Sequence, residues 1–449
     1  MCAIGVVAAS VNAGNVMAKV SPEEAAKLGG SELTPFGAEK AANADGSIPE
    51  WTGGITEIPA GYKNGGDYID PYAADKILFT ITKDNMAQYA DKLTDGQMKM
   101  LTTYDSYKIN VYPTHRSAKY SELMTTNAKN NALSAELVDD GNGVSGAEGA
   151  IPFPIPSGPL EVLWNQIMRD RGENFSRTIV QVTPTANGNF SPIQFSEEFS
   201  PRYLLSDVAK NKDSNVFFYF KQQVTAPARL AGNVLLVHET INQIKEPRRA
   251  WIYNAGQRRV RRAPQVAYDG PGTASDGLRT TDNFDGFNGA PDRYNWTLDG
   301  KQELYIPYNS YKLDSKDLKY KDIVNPGHIN PEYVRTELHR VWKITGTLKE
   351  GKRHIYSKRV MYFDEDTWSM VIADLFDGRG ELWRYQNIHS KAYYDTHLYG
   401  PTIDTVHDLI SERYISSGLA NELPMRYNFA KTFKTKDFTP AALRRSGKR

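Results

Sequence analysis

The stretch RTELHRVWKITGTLKEGKRHIYSKRVMYFDEDTWSMVIADLFDGRGELWRYQNIHS, Arg335 to Ser390, decides the fold class. Leu338, Arg340, Trp342, Ile344 and Leu348 fall on one face of its first strand and His339, Lys343, Thr345 and Thr347 on the other. That is the two-residue period of a half-buried strand. Three breaks carry turn residues: Lys349-Glu350-Gly351, Asp364-Glu365-Asp366 and Asp377-Gly378-Arg379-Gly380. Gly supplies positive φ and Asp bonds its own backbone, as hairpin turns require. The stretch therefore predicts four strands in an antiparallel meander. Strands of about ten to twelve residues span roughly 35–40 Å, suited to a large curved sheet or open barrel with a concave face.

Composition agrees with a β-rich chain. The 449 residues include 26 Tyr, 17 Phe and 7 Trp beside 35 Gly and 24 Pro, a usage that favours strands and loops. The length is ample for a real core. A net charge of +1 lacks the basic excess of a general nucleic-acid binder. An apolar run, Ala3 to Val11, followed by small residues reads as a signal peptide over 1–18, cleaved after Ala18, although no basic residue precedes it. A lipid anchor on Cys2 is set aside because only Met1 stands before it. The mature chain would be exported to a periplasm without a cysteine, and no other run approaches the roughly 20 apolar residues of a membrane span.

Around the meander the chain divides into an N-terminal arm and small helical region (19–150), a main β domain (151–430) and a basic tail (431–449). In the first part, helices are expected at Pro22–Leu28, in two pieces over Lys83–Tyr104 divided at Thr94-Asp95-Gly96, and at Tyr120–Leu137. Trp51 is placed to pin the arm to the core. The extended run Ile151–Pro156 suits a rigid linker or a strap on an apolar surface. Pro159–Arg171 is the best amphipathic helix, its stripe of Leu160, Leu163, Trp164, Ile167 and Met168 serving either as core or as a lid across the mouth of the sheet. Further strands are expected at Ser176–Thr183, Val216–Gln223, Leu230–Ile244, Ala250–Asn254, Gln257–Arg262 and Trp296–Pro307, and Val406–Ile415 reads as a short helix or strand. Phe217-Phe218-Tyr219-Phe220 implies burial on both faces. A Gly/Asp-rich insertion, 264–295, interrupts the sheet; an irregular segment of that length is usually functional or mobile.

No catalytic constellation emerges. The eight His show no metal-ligand spacing, no G-x-S-x-G elbow is present, and a Cys nucleophile is excluded from the mature chain. The glycines at 141, 143, 146 and 149 lack both the preceding strand and the Lys-Ser/Thr ending of a phosphate loop. Asp282-Asn283-Phe284-Asp285-Gly286 is only superficially a calcium loop, since Phe284 occupies a ligand position and no Glu follows at the needed spacing. Asp364-Glu365-Asp366 cap a hairpin more simply than they form a glycosidase pair. No enzyme, metal or cofactor is read from these residues. The strongest local charge is Arg258, Arg259, Arg261 and Arg262, after Arg248 and Arg249. A strand splits them between faces, which leaves three uses open: cross-strand ion pairs, a phosphate or lipid-headgroup contact at a cavity rim, or docking of an anionic partner.

The blocks Trp251–Arg262 (WIYNAGQRRVRR), Tyr362–Val371 (YFDEDTWSMV) and Asp377–Tyr385 (DGRGELWRY) resemble the strand patterns of the LolA/LolB-like superfamily of periplasmic lipid and lipoprotein carriers. More closely, with Leu33–Asn43 and Ile48–Gly54, the chain resembles a family of exported proteobacterial proteins labelled outer-membrane lipoprotein-sorting proteins. The resemblance implies a strongly curved open antiparallel β-barrel closed by a helical lid, with an apolar cavity for acyl chains. It also implies work beside an efflux-type inner-membrane transporter and an outer-membrane barrel protein. The expected function is thus a non-catalytic periplasmic carrier of a lipid or other hydrophobic small molecule. The expected cavity wall is Trp342, Ile344, Leu348, Met361, Phe363, Trp383 and Tyr385, with Leu163, Trp164 and Ile167 as the lid. The alternatives are an envelope protein-interaction or stress-sensing module whose barrel is filled by side chains, and a secreted hydrolase of an envelope polymer.

Overall fold

The computed structural model describes residues 20–208, 214–263, 268–424 and 427–447; the signal peptide read over 1–18 lies outside them. The alternating stretch forms four antiparallel strands within a run of thirteen: β1 (Phe175–Val182), β2 (Ile193–Pro201), β3 (Val216–Ala226), β4 (Val234–Thr240), β5 (Arg249–Asn254), β6 (Arg259–Arg262), β7 (Tyr294–Pro307), β8 (Thr336–Leu348), β9 (Lys358–Asp364), β10 (Met370–Phe376), β11 (Leu382–Tyr393), β12 (Leu398–Asp408) and β13 (Arg413–Leu419). Their spatial order is β7-β8-β9-β10-β11-β12-β13-β1-β2-β3-β4-β5-β6. The later strands of the chain thus make the first half of the sheet, and the pairing of β13 with β1 joins the halves. Three short strands, Phe79–Ile81, Ile109–Val111 and Tyr427–Asn428, complete a 16-stranded sheet.

In the meander the half-buried pattern holds at the far end of β8 and the facing start of β9. Thr336 to Val341, all of β10, and Arg384 to Tyr393 of β11 are buried on both faces, because both faces are covered. On one, Ile344, Met361, Phe363 and Leu375 pack on Leu163, Trp164 and Ile167 and on Phe153 of the proline strap. On the other, Val341, Tyr362, Ile372 and Tyr385 pack on Met100 and Ala118. The N-terminal segment is therefore a layer of the domain. Its helix α1 (Asp95–Thr103) starts with a capping box in which the Thr94 hydroxyl accepts from Gln97 N. Gly96 lies directly on the sheet, where a Cβ would stand 2.3 Å from the Tyr385 ring. A longer helix, α2 (Glu122–Ser134), begins at an N-cap made by Ser121.

The strongly curved open β-barrel with a helical lid does not form. The sheet is neither closed into a barrel nor strongly curled, and its outermost strands, β6 and β7, are not paired with each other. The segment that joins them supplies the reason. A hairpin turn would bring those edges together; instead, residues 268–293 fold inward and bury Leu278, Asp282, Asn283 and Phe287. Nor is helix α3 (Pro159–Met168) a lid, since Glu161 to Met168 are all buried. It is clamped between strap and sheet: Phe153 N donates to Asn165 Oδ1 (2.8 Å), Asn165 Nδ2 donates to Phe153 O (2.7 Å), and Met370 N donates to Gln166 Oε1 (2.7 Å).

The contact of α1 with the sheet has a pH signature. Asp374 accepts from Gly96 N at 3.2 Å, and burial pushes its carboxyl up to about 7. An acid raised on folding costs no stability below its unfolded pKa near 4, and costs progressively more as the pH rises towards 7. Asp374→Asn keeps an oxygen acceptor and removes the charge. It should leave stability nearly unchanged at pH 4 and raise it at pH 8 by roughly 1–4 kcal/mol, read by denaturant melts at both pH values. Equal effects at the two would contradict the assignment.

Candidate functional site

The expected wall residues come together mostly as solid core. Leu163, Trp164, Ile167, Ile344, Met361 and Phe363 belong to one buried cluster, with Trp342 and Trp383 packed at its margin. Tyr385 lies in the cluster on the opposite face. The pairing of β10 with β11 shifts register between Leu375 and Phe376, which are opposite Arg384 and Leu382; the extra residue, Trp383, sets its neighbours on a new alternation. Leu348 is half-buried at the end of β8. None of these ten residues lines either of the two main cavities.

One cavity, of about 120 Å³, lies against β1 to β4. Its wall is Phe175 of β1, Phe199 of β2 and Phe218 and Phe220 of β3, continued by Leu235 and Val237 of β4. The rings pack on one another: Phe175 stacks on Phe199 at 5.0 Å and Phe199 meets Phe218 at 5.0 Å. Alternation puts these side chains on one face of adjacent strands. The Gly/Asp-rich insertion closes the opposite side, Phe284 meeting Phe220 at 5.3 Å. Thr273, on the same insertion, is exposed at the rim.

Guanidiniums ring this apolar wall. Arg169 and Arg171 follow the end of α3 and cap its last carbonyls, Arg169 Nη1 donating to Gln166 O (3.0 Å) and Arg171 Nη1 to Ile167 O (2.8 Å). Both also hold one carboxylate, that of Asp285, at 2.5 and 2.7 Å. Burial and the adjacent Arg169 pull Arg171 down to about 10. Burial raises the Asp285 carboxyl, but the two arginines outweigh it and hold the group at about 2. Arg177 pairs with Glu197 and donates to the Tyr427 hydroxyl at 2.6 Å; Arg248 pairs with Glu239 at 2.7 Å. Arg279 completes the ring. The site can hold an apolar body beside a strongly positive margin. The sequence carried its signals, the FFYF run and the Arg-Asp-Arg after the helix, but at places remote from the meander.

A larger cavity, of about 780 Å³, lies between residues 64–75, the loop 309–317 and residues 391–396. Tyr68, Tyr72, Tyr311 and Tyr393 line it, with Asp70, Asp75, Asp314 and Lys391. The Lys391 ammonium is 2.8 Å from Asp314 and 4.4 Å from the Tyr68 ring centre. Tyr427 lines both cavities.

The remaining charged features serve the fold. Asp282, the first residue of the superficially calcium-like run, pairs with Arg359 and with His354 Nε2. His339, Asp364 and Asp366 lie within 4.8 Å of one another, but both Asp366 oxygens accept from Arg116, at 2.9 and 2.7 Å. Arg258, Arg259, Arg261 and Arg262 are all exposed, and among the described residues no carboxylate lies within 4.0 Å of them. The shared carboxylate yields a test. Asp285→Asn should cost about 3–5 kcal/mol at pH 7, because two buried guanidiniums lose their counter-charge. The stabilisation from a depressed carboxylate is complete above pH 4 and is lost as the pH falls through about 2, so the gap between variant and parent should narrow in acid.

The family model described as "Protein of unknown function (DUF1329)" matches residues 80–444. An uncharacterized protein of Pseudomonas aeruginosa is 56% identical over 446 residues, 99% of this chain and 98% of that one. Among solved structures, one assigned as an outer membrane lipoprotein-sorting protein domain from Vibrio parahaemolyticus shares 13% identity over 63% of this chain and 97% of its own, with a TM-score of 0.44. A LolA superfamily protein from Nitrosomonas europaea shares 11% identity over 63% of this chain and 98% of its own, with a TM-score of 0.38. The resemblance drawn from the motifs is borne out at the level of the family: the chain belongs to the DUF1329 family.

Proposed function

We propose that this chain is a non-catalytic periplasmic binding protein that carries a hydrophobic or amphipathic small molecule. The observation that supports the reading most is the unfilled space among Phe175, Phe199, Phe218 and Phe220. Apolar surface buried there gives affinity at about 25 cal/mol/Å². At about 120 Å³ the space is close to an engineered apolar cavity of ~150 Å³ that takes benzene. It therefore suits a ring or the end of a chain, and a whole acyl chain requires the insertion to move outward. In this reading the leader exports the chain, and an efflux-type transporter and an outer-membrane barrel protein are its partners for loading and delivery.

A second reading, an envelope interaction module, draws on the core beside the meander, which side chains fill, and on the exposed arginines of β6, which offer an anionic partner or lipid headgroup a contact. Ligand chemistry separates the two. Mass spectrometry of organic extracts from natively purified protein should find a copurified amphipath, and the stripped protein should take up a fluorescent fatty-acid probe. Leu235→Trp, at a half-buried wall position, should weaken uptake about tenfold or more with little change in Tm. Neither extract nor uptake would leave the interaction module as the better account.

A further inference from the structure

Arg279 differs from every other guanidinium around the phenylalanine cavity. It sits on the insertion at 5% exposure and lines the cavity, yet among the described residues no carboxylate stands within 4.0 Å of it. Its polar neighbours are neutral and distant: Nη1 donates to Ser417 Oγ at 3.4 Å and Nη2 to Gln181 Oε1 at 3.4 Å, while Nε has no partner. One face of the group lies over the Phe284 ring, 5.3 Å from its centre. Arg169, Arg171, Arg177 and Arg248, by contrast, each hold a carboxylate directly.

A buried charge without a direct counter-charge is costly. Burial lowers the pKa of Arg279, and the carboxylates of Asp404 and Glu197 offset part of that from beyond contact distance. Nε is itself buried and packs against Gly272, where a Cβ would stand 3.2 Å from that nitrogen, so the close approach requires a residue without a side chain. A planar guanidinium with a free Nε–H is the group that receives a carboxylate or a phosphate oxygen best. The cavity wall includes Phe220, which meets Phe284 at 5.3 Å, and Val237, side chains that cannot satisfy a polar head but can bury a chain.

We infer that the cavity ligand is an amphipathic anion, its acidic head on Arg279 and its apolar body along the phenylalanine wall. The inference rests on the binding-protein reading and names the class of ligand for that site. Calorimetric titration of the stripped protein with decanoate and with decan-1-ol, which share a chain and differ in the head, tests it. Decanoate should bind about tenfold or more tightly than the alcohol. Arg279→Gln should abolish that preference while leaving the alcohol's affinity within about twofold. Equal binding of acid and alcohol by the parent overturns the inference and leaves the carrier reading standing; binding of neither overturns both. A preference retained in Arg279→Gln overturns the assignment to this residue. Should that variant fail to fold, a crystal structure of the parent with ω-bromodecanoate decides: a carboxylate within hydrogen-bond reach of Arg279 supports the inference, and one placed elsewhere overturns it.

Discussion

Strands covered on both faces leave their charged side chains no water to turn to, and the architecture follows from how those charges find partners. β8 to β11 carry Glu337, Arg340, Arg359, Asp364, Asp374 and Arg384, all buried. Arg359 pairs with Asp282 of the insertion, Arg384 with Asp408 of β12, and Arg340 with Glu365 of the acidic turn. Such pairs add little net stability, but breaking one leaves an uncompensated charge at about 3–5 kcal/mol. They therefore fix which segment docks where. The acidic turn shows this directly: Arg116 and Arg340, held by Glu365 and Asp366, donate to the carbonyls of Glu39 and Ala41 and so bind the N-terminal arm to a hairpin tip. Trp51 adds a bond from Nε1 to Ala118 O at 3.0 Å. A turn read as a simple hairpin cap is also the anchor of the layer that covers the sheet.

The insertion occupies the place where closure would occur. Because β6 and β7 are consecutive in sequence and outermost in space, the segment between them decides whether the sheet becomes a ring. Its Asp282 and Asp285 are drawn inward by Arg359, Arg169 and Arg171, and Phe284 and Phe287 follow into apolar surroundings. The same inward fold roofs the phenylalanine wall. The open sheet and its cavity thus have a common cause in the pairing of this segment's carboxylates.

This explains what could be read in advance. The meander was legible because its turn chemistry sits in adjacent residues, and the proline strap because Pro restricts its own backbone. β2 went unread, and of β12 and β13 only Val406–Ile415 was read, as a short helix or strand, because their signals are tertiary. β12 contains Gly400 and Pro401, and β13 contains Ser416, Ser417 and Gly418, weak strand formers that only their buried neighbours stabilise. The wall residues were misplaced for a different reason. Alternation identifies a buried face but not whether protein or ligand buries it, and here α3 packs on Ile344, Met361 and Phe363, which were read as cavity wall. The bulge at Trp383 then separates it from Tyr385. The aromatic run at 217–220 was read only as two-sided burial; its partners Phe175, Phe199 and Phe284 come from three other segments, a convergence no local pattern encodes.

An open sheet has two edges, and each must avoid recruiting another chain. β7 carries a bulge between Leu298 and Gly300, with exposed Asn295, Thr297, Asp299 and Lys301 along its length. β6 carries Arg259, Arg261 and Arg262, with Arg258 in the preceding turn. Cross-strand ion pairing does not account for them, since among the described residues no carboxylate reaches them. Their repulsion does a different job: a second copy of the same edge would bring like charges directly opposite one another, which is unfavourable in any antiparallel pair. Exposed Ile252, beside Arg261 in the register, is the kind of side chain such charges protect. On a chain of net charge +1, this quartet is a local demand of the unclosed fold, and any contact it makes with an anionic surface uses charge that the edge already requires.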